Sequence, residues 1–164
     1  MPVSEQALAE RALSDQALAD RTRAGATPPA DPAREGWAVV PDCGFVDLVG
    51  PIYLRASDGA YAFAAEGKHR NLIGVVQGGM LMTFADRALG VTAMAAADGA
   101  NCVTIEMQMH FIGAGRIGDW IVARPQVTQR TGSLVFMRAE LTAGDRLVGT
   151  ATGVWKILRR RPVA

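Results

Sequence analysis

The sequence predicts an α+β domain in which one antiparallel sheet wraps around a single long helix. The segment Gln77–Ala97 is rich in alanine, leucine and methionine and lacks the alternation of a strand, which predicts a helix. Two strand-like segments precede it, and four more follow with no helical pattern between them. Because a largely apolar helix must be covered on most sides, we expect the strands to form one sheet that curves around it.

Length and composition fit one domain with an adequate core. The chain has 164 residues, of which 49% are apolar and 20% are charged. Its 17 basic and 16 acidic residues give a formal net charge of +1. So balanced a charge offers no broad electrostatic surface for nucleic acid or for an anionic membrane, and we expect neither as a partner.

The cysteines and the first residues argue against a secreted, membrane or metal-binding protein. Cys43 and Cys102 lie far apart, with neither a CxxC pair nor a Cys/His cluster. Residues 1–6 lack the basic-then-apolar order of a signal peptide, and no uncharged apolar run reaches the ~18–20 residues that span a bilayer. We therefore expect a cytoplasmic protein with no metal site and no disulfide scaffold.

Residues 1–36 are predicted to form an extra N-terminal helix and a linker, ahead of the main domain at residues 37–164. The segment Glu5–Arg11 recurs almost unchanged ten residues later as Asp15–Arg21, and both copies consist of good helix-forming residues. Two interpretations stay open, a helix packed on the domain or on a partner, and a peripheral extension. Gly25–Pro32 ends this helix and forms the linker.

A short helical turn at the end of the linker precedes the main domain, which begins with a hairpin. Asp31–Glu35 favours one helical turn, because aspartate is a good cap and proline suits the first helical position. Phe45–Arg55 and Tyr61–Glu66 are predicted to be strands joined by a turn at Ser57–Gly59.

The long helix and the strands after it are separated by glycines. The helix carries only two charges, Asp86 and Arg87, and Asp98–Gly99 ends it. The turns between the later strands contain the glycines that tight reversals need. The four predicted strands are Asn101–Ile112, Asp119–Arg130, Leu134–Thr142 and Arg146–Leu158.

The first of these strands alternates between apolar and polar residues. Strict alternation predicts that its two faces are an apolar set and a polar set, and a solvated polar face is the simpler interpretation of the second. The apolar set is Ile105, Met107, Met109 and Phe111, and the polar set is Thr104, Glu106, Gln108 and His110.

The segment from His69 to Asp86 carries the functional motif. It resembles the hotdog-fold acyl-CoA thioesterases, in particular the phenylacetate-pathway (PaaI-type) branch, whose motif is approximately H-x-N-x-x-G-x-x-H-G-G followed by a helix with an aspartate. The resemblance covers residues 44–158 and implies a hotdog fold, in which the sheet wraps the central helix. The matching residues are His69, Asn71, Gly74, Gly78, Gly79 and Asp86.

One position departs from the family motif. Where the family usually has histidine before Gly-Gly, this chain has Gln77. Glutamine cannot exchange a proton near neutral pH, although it still donates and accepts hydrogen bonds. The resemblance assigns this position to orienting the thioester, so we expect the substitution to alter rate and substrate preference.

Hydrolysis of a thioester requires a polarised carbonyl and an activated water or a nucleophile. Gly78 and Gly79 begin the helix, where backbone N–H groups have no helical partner and an acyl group can approach closely. These donors, with the helix dipole, could hold a developing oxyanion. Asp86 is the candidate general base or nucleophile.

The spacing of these groups predicts a shared site. From Gly78 to Asp86 is eight residues, about 12 Å of helix, so one carbonyl cannot contact both within one chain. A two-fold dimer with two such helices side by side and antiparallel would bring Asp86 of one chain opposite Gly78 of the other. The resemblance likewise implies a site at a homodimer interface, and makes a dimer of dimers plausible.

The remaining candidates each have a structural alternative. Thr104 falls where the family often has a residue that positions the attacking water, or it is an ordinary strand threonine. Asn71 either bonds near the thioester or caps its loop, and His69 either contacts substrate or stabilises the loop. Arg130 and Ser133 lie at a late turn and could meet the phosphates of coenzyme A, since arginine suits phosphate oxygens.

Two functions from different classes therefore remain. The first is hydrolysis of an acyl-CoA to a free acid and coenzyme A, with no cofactor beyond the coenzyme A of the substrate. The second is a non-catalytic hotdog module that binds acyl-CoA or a partner protein, which Gln77 and the N-terminal extension favour. The fold alone cannot separate them, and the sequence does not identify the acyl chain.

Overall fold

The computed structural model describes residues 25–158 and contains a seven-stranded antiparallel sheet with a long helix on one face. The N-terminal helix predicted within residues 1–24 lies outside the described residues. The sheet order is β1-β2-β3-β5-β6-β7-β4, which places β4 at one edge. The strands are β1 (Trp37–Val39), β2 (Tyr53–Arg55), β3 (Ala60–Ala64), β4 (Cys102–Phe111), β5 (Trp120–Arg130), β6 (Leu134–Ala143) and β7 (Arg146–Ile157).

The long helix α2 (Gly78–Ala96) fills the concave side of the sheet. Its buried residues pack on side chains from β3, β5, β6 and β7, and the rings of Phe84 and Phe63 lie 4.8 Å apart. Gly90 lets the helix approach β7, since a Cβ there would lie 3.3 Å from the Trp155 ring nitrogen. The α+β hotdog architecture predicted from the sequence is therefore confirmed.

A smaller apolar cluster covers part of the opposite face of the sheet. The rings of Trp37 and Trp120 meet edge to face, with centroids 5.5 Å apart, and the Arg55 guanidinium lies 4.5 Å above Trp37. The backbone N–H of Trp120 donates to the Ala26 carbonyl at 2.6 Å, and Ala26 packs against the same cluster. The linker thus contacts the sheet at its convex face, next to this cluster.

Most predicted elements are confirmed. The helix from Gln77 to Ala97 agrees with α2 to within one residue, and the four later strands agree with β4–β7. A 3₁₀ turn at Pro32–Glu35 is capped by the Asp31 side chain, as predicted. The β2–β3 hairpin turns at Gly59, whose positive φ of 67° suits glycine.

The prediction of one strand over Phe45–Arg55 is wrong. The segment forms a short helix, α1 (Gly44–Val49), and resumes as β2 only at Tyr53. A cis peptide bond joins Gly50 and Pro51 between the two elements. Neither residue supports a continuous strand, because proline cannot donate a ladder hydrogen bond and glycine has no side chain to pack.

A buried ion pair holds two connections of the sheet together. The carboxylate of Asp119, just before β5, accepts hydrogen bonds from the Arg146 guanidinium and from the Arg116 N–H. Arg146 is 1% exposed, and its Nε and Nη1 find no hydrogen-bond partner within the described structure. Because an unpaired buried charge is costly, Arg146 ties the start of β7 to the β4–β5 connection.

Replacing Phe84 by alanine should test whether α2 is the centre of the core. Phe84→Ala removes a fully buried ring and is expected to lower the free energy of unfolding by roughly 3–5 kcal/mol, measured by urea unfolding. Phe45→Ala is the matched control, because Phe45 is 63% exposed and should change stability little. Equal losses in both variants would contradict this view of the core.

Candidate active site

The Asp86 carboxylate lies on the side of α2 that faces the edge strand. Its Oδ1 accepts a hydrogen bond of 2.7 Å from the Thr104 hydroxyl of β4. Its Oδ2 makes no hydrogen bond with any residue in 25–158, so one oxygen is held and the other is available. The neighbouring Arg87 points elsewhere and pairs with Asp42 at 2.7 Å.

A β-bulge explains why Thr104 reaches Asp86. The register of β4 on β7 shifts between Thr104 and Glu106, which leaves Ile105 without a partner residue. Thr104 therefore shares the helix-facing side with Met107 and Met109, which pack against the core. The prediction that Thr104 shares a polar face with Glu106 and His110 is wrong, because the extra residue reverses the alternation.

The start of α2 presents two backbone donors. Gln77 is the N-cap, and its side-chain Oε1 accepts from the Gly78 N–H at 2.9 Å. The Gly79 N–H has no hydrogen-bond partner among residues 25–158, and Gly79 is exposed. The Phe111 ring covers Gly78 so closely that a Cβ on Gly78 would lie 3.2 Å from it.

Asn71 shapes the loop ahead of α2. Its Oδ1 accepts hydrogen bonds from the backbone N–H groups of Ile73 (3.0 Å) and Val75 (3.2 Å). The loop closes where the Gly74 N–H donates to the Asn71 carbonyl. The side-chain oxygen is thus engaged in loop capping, whereas the amide nitrogen makes no hydrogen bond with a described residue.

His69 is buried beneath the same loop. Its Nδ1 accepts from the Glu66 N–H at 3.0 Å, so the proton resides on Nε2, which donates to the Val49 carbonyl at 2.8 Å. The ring packs edge to face on Phe63. Burial lowers the pKa of His69, and the hydrogen bond to Val49 opposes that shift only in part.

Arg130 and Ser133 lie near the opposite end of α2. The Arg130 guanidinium pairs with Asp98 at 2.7 Å, just beyond the C-terminus of the helix. Ser133 is half-buried in the β5–β6 turn, where its N–H donates to the Thr131 hydroxyl. Ten helical residues, about 15 Å, separate Asp86 from Ala96 at the end of α2.

The structure thus divides the predicted residues into three groups along α2. His69, Asn71, Gln77, Gly78 and Gly79 surround its N-terminus, Asp86 and Thr104 lie about 12 Å further along, and Arg130 and Ser133 lie near its C-terminus. Sequence reasoning missed Phe111 as a neighbour of Gly78. The glycine itself was the available signal, because it marks a close approach.

Within residues 25–158, no group of three or more His, Cys, Asp or Glu side chains is placed to hold a metal ion. In the same range, no helix combines the length and hydropathy needed to cross a bilayer.

The buried His69 should make stability depend on pH. Its folded-state pKa lies below the ordinary value of about 6.5, so unfolded chains bind its proton first as the pH falls. The free energy of unfolding should therefore decrease between about pH 7 and pH 5, and His69→Gln should flatten that slope. The control is His110→Gln, which alters the chain's other histidine, an exposed one, and should keep the wild-type slope. Identical slopes for all three proteins would contradict the assignment.

Comparison with known proteins supports the fold and the family. The sequence pattern of the thioesterase superfamily matches residues 73–150. Over 116 residues, the chain is 33% identical to putative esterase PA0474 of Pseudomonas aeruginosa, covering 68% of this chain and 87% of that protein.

Solved structures show the same architecture. A hypothetical thioesterase protein of Streptococcus pneumoniae, solved with coenzyme A, superposes with a TM-score of 0.58 at 19% identity, covering 67% of this chain and 83% of that one. A phenylacetic acid degradation-related protein of Ralstonia eutropha gives a TM-score of 0.55 at 24% identity, covering 86% and 98%. At these identities the likeness concerns the fold. The matched pattern, the Pseudomonas relative and the fold together show that the chain belongs to the hotdog-fold thioesterase superfamily.

Proposed function

We propose that this protein is a cytoplasmic acyl-CoA thioesterase of the PaaI type, with a site shared between the two protomers of a homodimer. The observation that carries the proposal is the Asp86 carboxylate, held by Thr104 at one oxygen and available at the other. The coenzyme A in the Streptococcus pneumoniae structure supports acyl-CoA as the substrate class. The two cysteines of this chain are free thiols, which suits a reducing compartment.

The fold supplies a surface on which the dimer can form. β4 is an edge strand with exposed apolar residues, and a long apolar edge is an open template for pairing. Antiparallel pairing of two β4 strands about a two-fold axis brings the start of one strand beside the end of the other. Thr104 and Asp86 of one protomer then approach the end of β4 in the other, where Phe111 covers Gly78.

This arrangement divides the chemistry between the protomers. The N–H groups of Gly78 and Gly79 polarise the thioester carbonyl, aided by the positive end of the α2 dipole. Asp86 of the other protomer either takes a proton from a water that attacks the carbonyl carbon or attacks that carbon itself. The carbon–sulfur bond then breaks and coenzyme A leaves as the thiol. If water attacks, its oxygen enters the free acid directly; if Asp86 attacks, the acyl–aspartyl anhydride is then hydrolysed by water, which releases the free acid and restores the carboxylate.

Gln77 gives this site an adjustable donor and acceptor. Its Oε1 accepts the hydrogen bond of the Gly78 N–H, so a substrate carbonyl must displace the Gln77 side chain before it can accept from that donor. The displaced carboxamide can then donate to the substrate, but it cannot supply or remove a proton. All proton transfer therefore falls to Asp86.

The other predicted residues take supporting positions. His69 and Asn71 hold the loop ahead of Gly78, and the free amide of Asn71 can donate near the thioester. Thr104 fixes the carboxylate and, through it, the attacking water. Arg130 uses one guanidinium nitrogen on Asp98, which leaves other donors for coenzyme A phosphates near Ser133. Two such dimers could associate further into a tetramer.

One observation favours the second candidate, an acyl-CoA-binding module without catalysis. The Gln77 side chain already accepts from the Gly78 N–H, so one of the two proposed oxyanion donors is engaged within the protein itself. Saturable acyl-CoA binding without thiol release would support the module. Turnover that depends on Asp86 would reject it.

Asp86→Asn should abolish most of the hydrolysis. The amide keeps the shape of the side chain but cannot act as a base, so turnover is expected to fall about 100-fold or more. The assay measures free thiol from acetyl- to palmitoyl-CoA, phenylacetyl-CoA and hydroxybenzoyl-CoA. Asp47→Asn is the matched control, because Asp47 is an exposed residue of α1 and should leave turnover unchanged. Equal turnover of Asp86→Asn and wild type would remove Asp86 from the mechanism.

A mixing experiment tests whether the site is shared. Gly78→Pro removes the N–H donor at the first helical position, where the proline backbone is tolerated and the Phe111 ring must shift by a few tenths of an ångström to admit the Cβ. Asp86→Asn removes the base. Each variant alone should be inactive. Co-expression in equal amounts should restore about a quarter of wild-type activity, since half of the dimers are mixed and each has one intact site. No recovery in isolated mixed dimers would show that each site lies within one chain.

A further inference from the structure

We propose that Asp42 is a positioning residue for the Asp86 carboxylate. It holds the guanidinium of Arg87, the residue next to Asp86, and so keeps that cation away from the free Asp86 oxygen. The inference rests on the proposed function, in which Asp86 is the base or nucleophile, and deepens it by naming what keeps this carboxylate reactive. It stands on the Asp42–Arg87 ion pair and on the charges that surround α2 within residues 25–158.

Arg87 is held by a carboxylate that lies far from it in the sequence. Its Nε donates to the Asp42 Oδ2 at 2.7 Å, across 45 residues of chain. The side chains of Arg87 and Asp42 are only 23% and 16% exposed, so solvent and salt screen this pair less than they screen a surface pair. Among residues 25–158, Asp42 is the only carboxylate that pairs with Arg87. The direction in which the guanidinium points is therefore set by Asp42.

Asp42 lies just before α1, and this short helix is itself fixed in place. Val46 and Val49 of α1 pack against the main core. At the C-terminal end of α1, the His69 Nε2 donates to the Val49 carbonyl at 2.8 Å, and the Lys68 ammonium donates to the next carbonyl along the chain. Because α1 is held from both the core and the loop ahead of α2, the carboxylate of Asp42 is presented to Arg87 by a preorganised element.

This arrangement leaves Asp86 with one hydrogen-bond donor and no cation. Its Oδ1 accepts from the Thr104 hydroxyl, and it forms no ion pair with any residue in 25–158. Consecutive side chains on a helix point about 100° apart, but the stem of a released Arg87 is long enough to turn onto the neighbouring carboxylate. A guanidinium there would make the carboxylate a weaker base and would occupy the oxygen that has to take a proton from water or attack the carbonyl carbon.

The other ionisable groups around α2, within the part of the chain that the structure describes, do not bring a free charge to Asp86. The side of β6 that faces the helix is apolar. Tyr61 of β3 and Cys102 of β4 are neutral near pH 7, since burial raises the pKa of each. The arginines on the helix side of β5 and β7, Arg130 and Arg146, are each paired with another carboxylate. The carboxylate of α1, Asp47, is exposed.

A positioning ion pair and a merely structural one respond differently to single substitutions. If the pair only stabilised the fold, removal of either partner would break the same contact, and both variants would lose activity alike. If Asp42 restrains Arg87, removal of Asp42 releases a cation beside Asp86, whereas removal of Arg87 removes the cation itself. The two single variants therefore have different expected activities, and loss of Arg87 should correct loss of Asp42.

The experiment compares Asp42→Ala, Arg87→Gln and the double variant with wild type. The measurement is kcat as a function of pH, from free thiol release with the acyl-CoA that wild type hydrolyses fastest. Asp42→Ala should lower kcat about tenfold and move the acid limb of the profile to lower pH, because a neighbouring cation stabilises the ionised carboxylate. Arg87→Gln and the double variant should stay within about twofold of wild type and keep its acid limb.

Asp58→Ala is the matched control. It breaks an ion pair of similar length, Arg55–Asp58 at 2.6 Å, whose side chains are 27% and 39% exposed. Arg55 lies over Trp37 on the convex face of the sheet, on the opposite side from α2. Loss of this pair should leave both kcat and the acid limb as in wild type.

The outcomes separate this inference from the proposed function. Unchanged kcat in Asp42→Ala, equal losses in the two single variants, or a double variant no better than Asp42→Ala would overturn the inference while leaving the thioesterase intact. A crystal structure of Asp42→Ala gives a readout that needs no turnover, since Arg87 should then lie within hydrogen-bond distance of the Asp86 Oδ2. If wild type hydrolyses no acyl-CoA, the proposed function fails, and this structure decides the inference. A guanidinium that stays away from Asp86 would then overturn it.

Discussion

Burial of α2 is the constraint on which the rest of the structure depends. A helix with so few charges cannot remain in water, and a single sheet is the largest element available to cover it. The strands curve around it until Phe84 and Leu89 are fully enclosed. The sheet ends at β4, so the side of the helix that carries Asp86 lies next to an open edge. The candidate site thus lies at the edge of the sheet, where the helix is no longer covered by strands.

The β-bulge at Ile105 is the local device that completes the site. Without the extra residue, strict alternation would direct Thr104 to the convex face, and Asp86 would lose its hydrogen-bond donor. The cost is one unpaired residue in an edge strand, where bulges are common. A single added residue therefore links sheet geometry to the orientation of a carboxylate.

The sequence was sufficient for the helix, the four strands after it and the hairpin, because glycines and periodicity mark their ends. The segment from His69 to Asp86 could be proposed as the candidate site because the spacing of its motif is local, and its functional role stays a prediction. The prediction of one strand over Phe45–Arg55 was wrong because an apolar run of this length fits either a strand or a helix. Gly50-Pro51 was the signal that divides the segment into two elements. The side on which Thr104 lies could not be predicted, because a bulge depends on pairing with a distant strand. The contact of Phe111 with Gly78 also joins residues that are distant in the sequence. The only sequence signal for this contact is the glycine itself, which marks a close approach.

The ion pair between Asp119 and Arg146 has a consequence for protein engineering. The β4–β5 connection ends at Asp119, so a loop grafted in its place brings its own last residue. Within residues 25–158, two guanidinium nitrogens of Arg146 already make no hydrogen bond, and loss of the carboxylate would leave its buried charge without the Asp119 counter-charge. Libraries in this connection can therefore vary exposed positions such as Ile112 and Ile117, whereas randomising Asp119 would mostly select for folding. Gly113 and Gly115 are also obligatory, because a Cβ at either position would lie within 3 Å of a neighbouring atom.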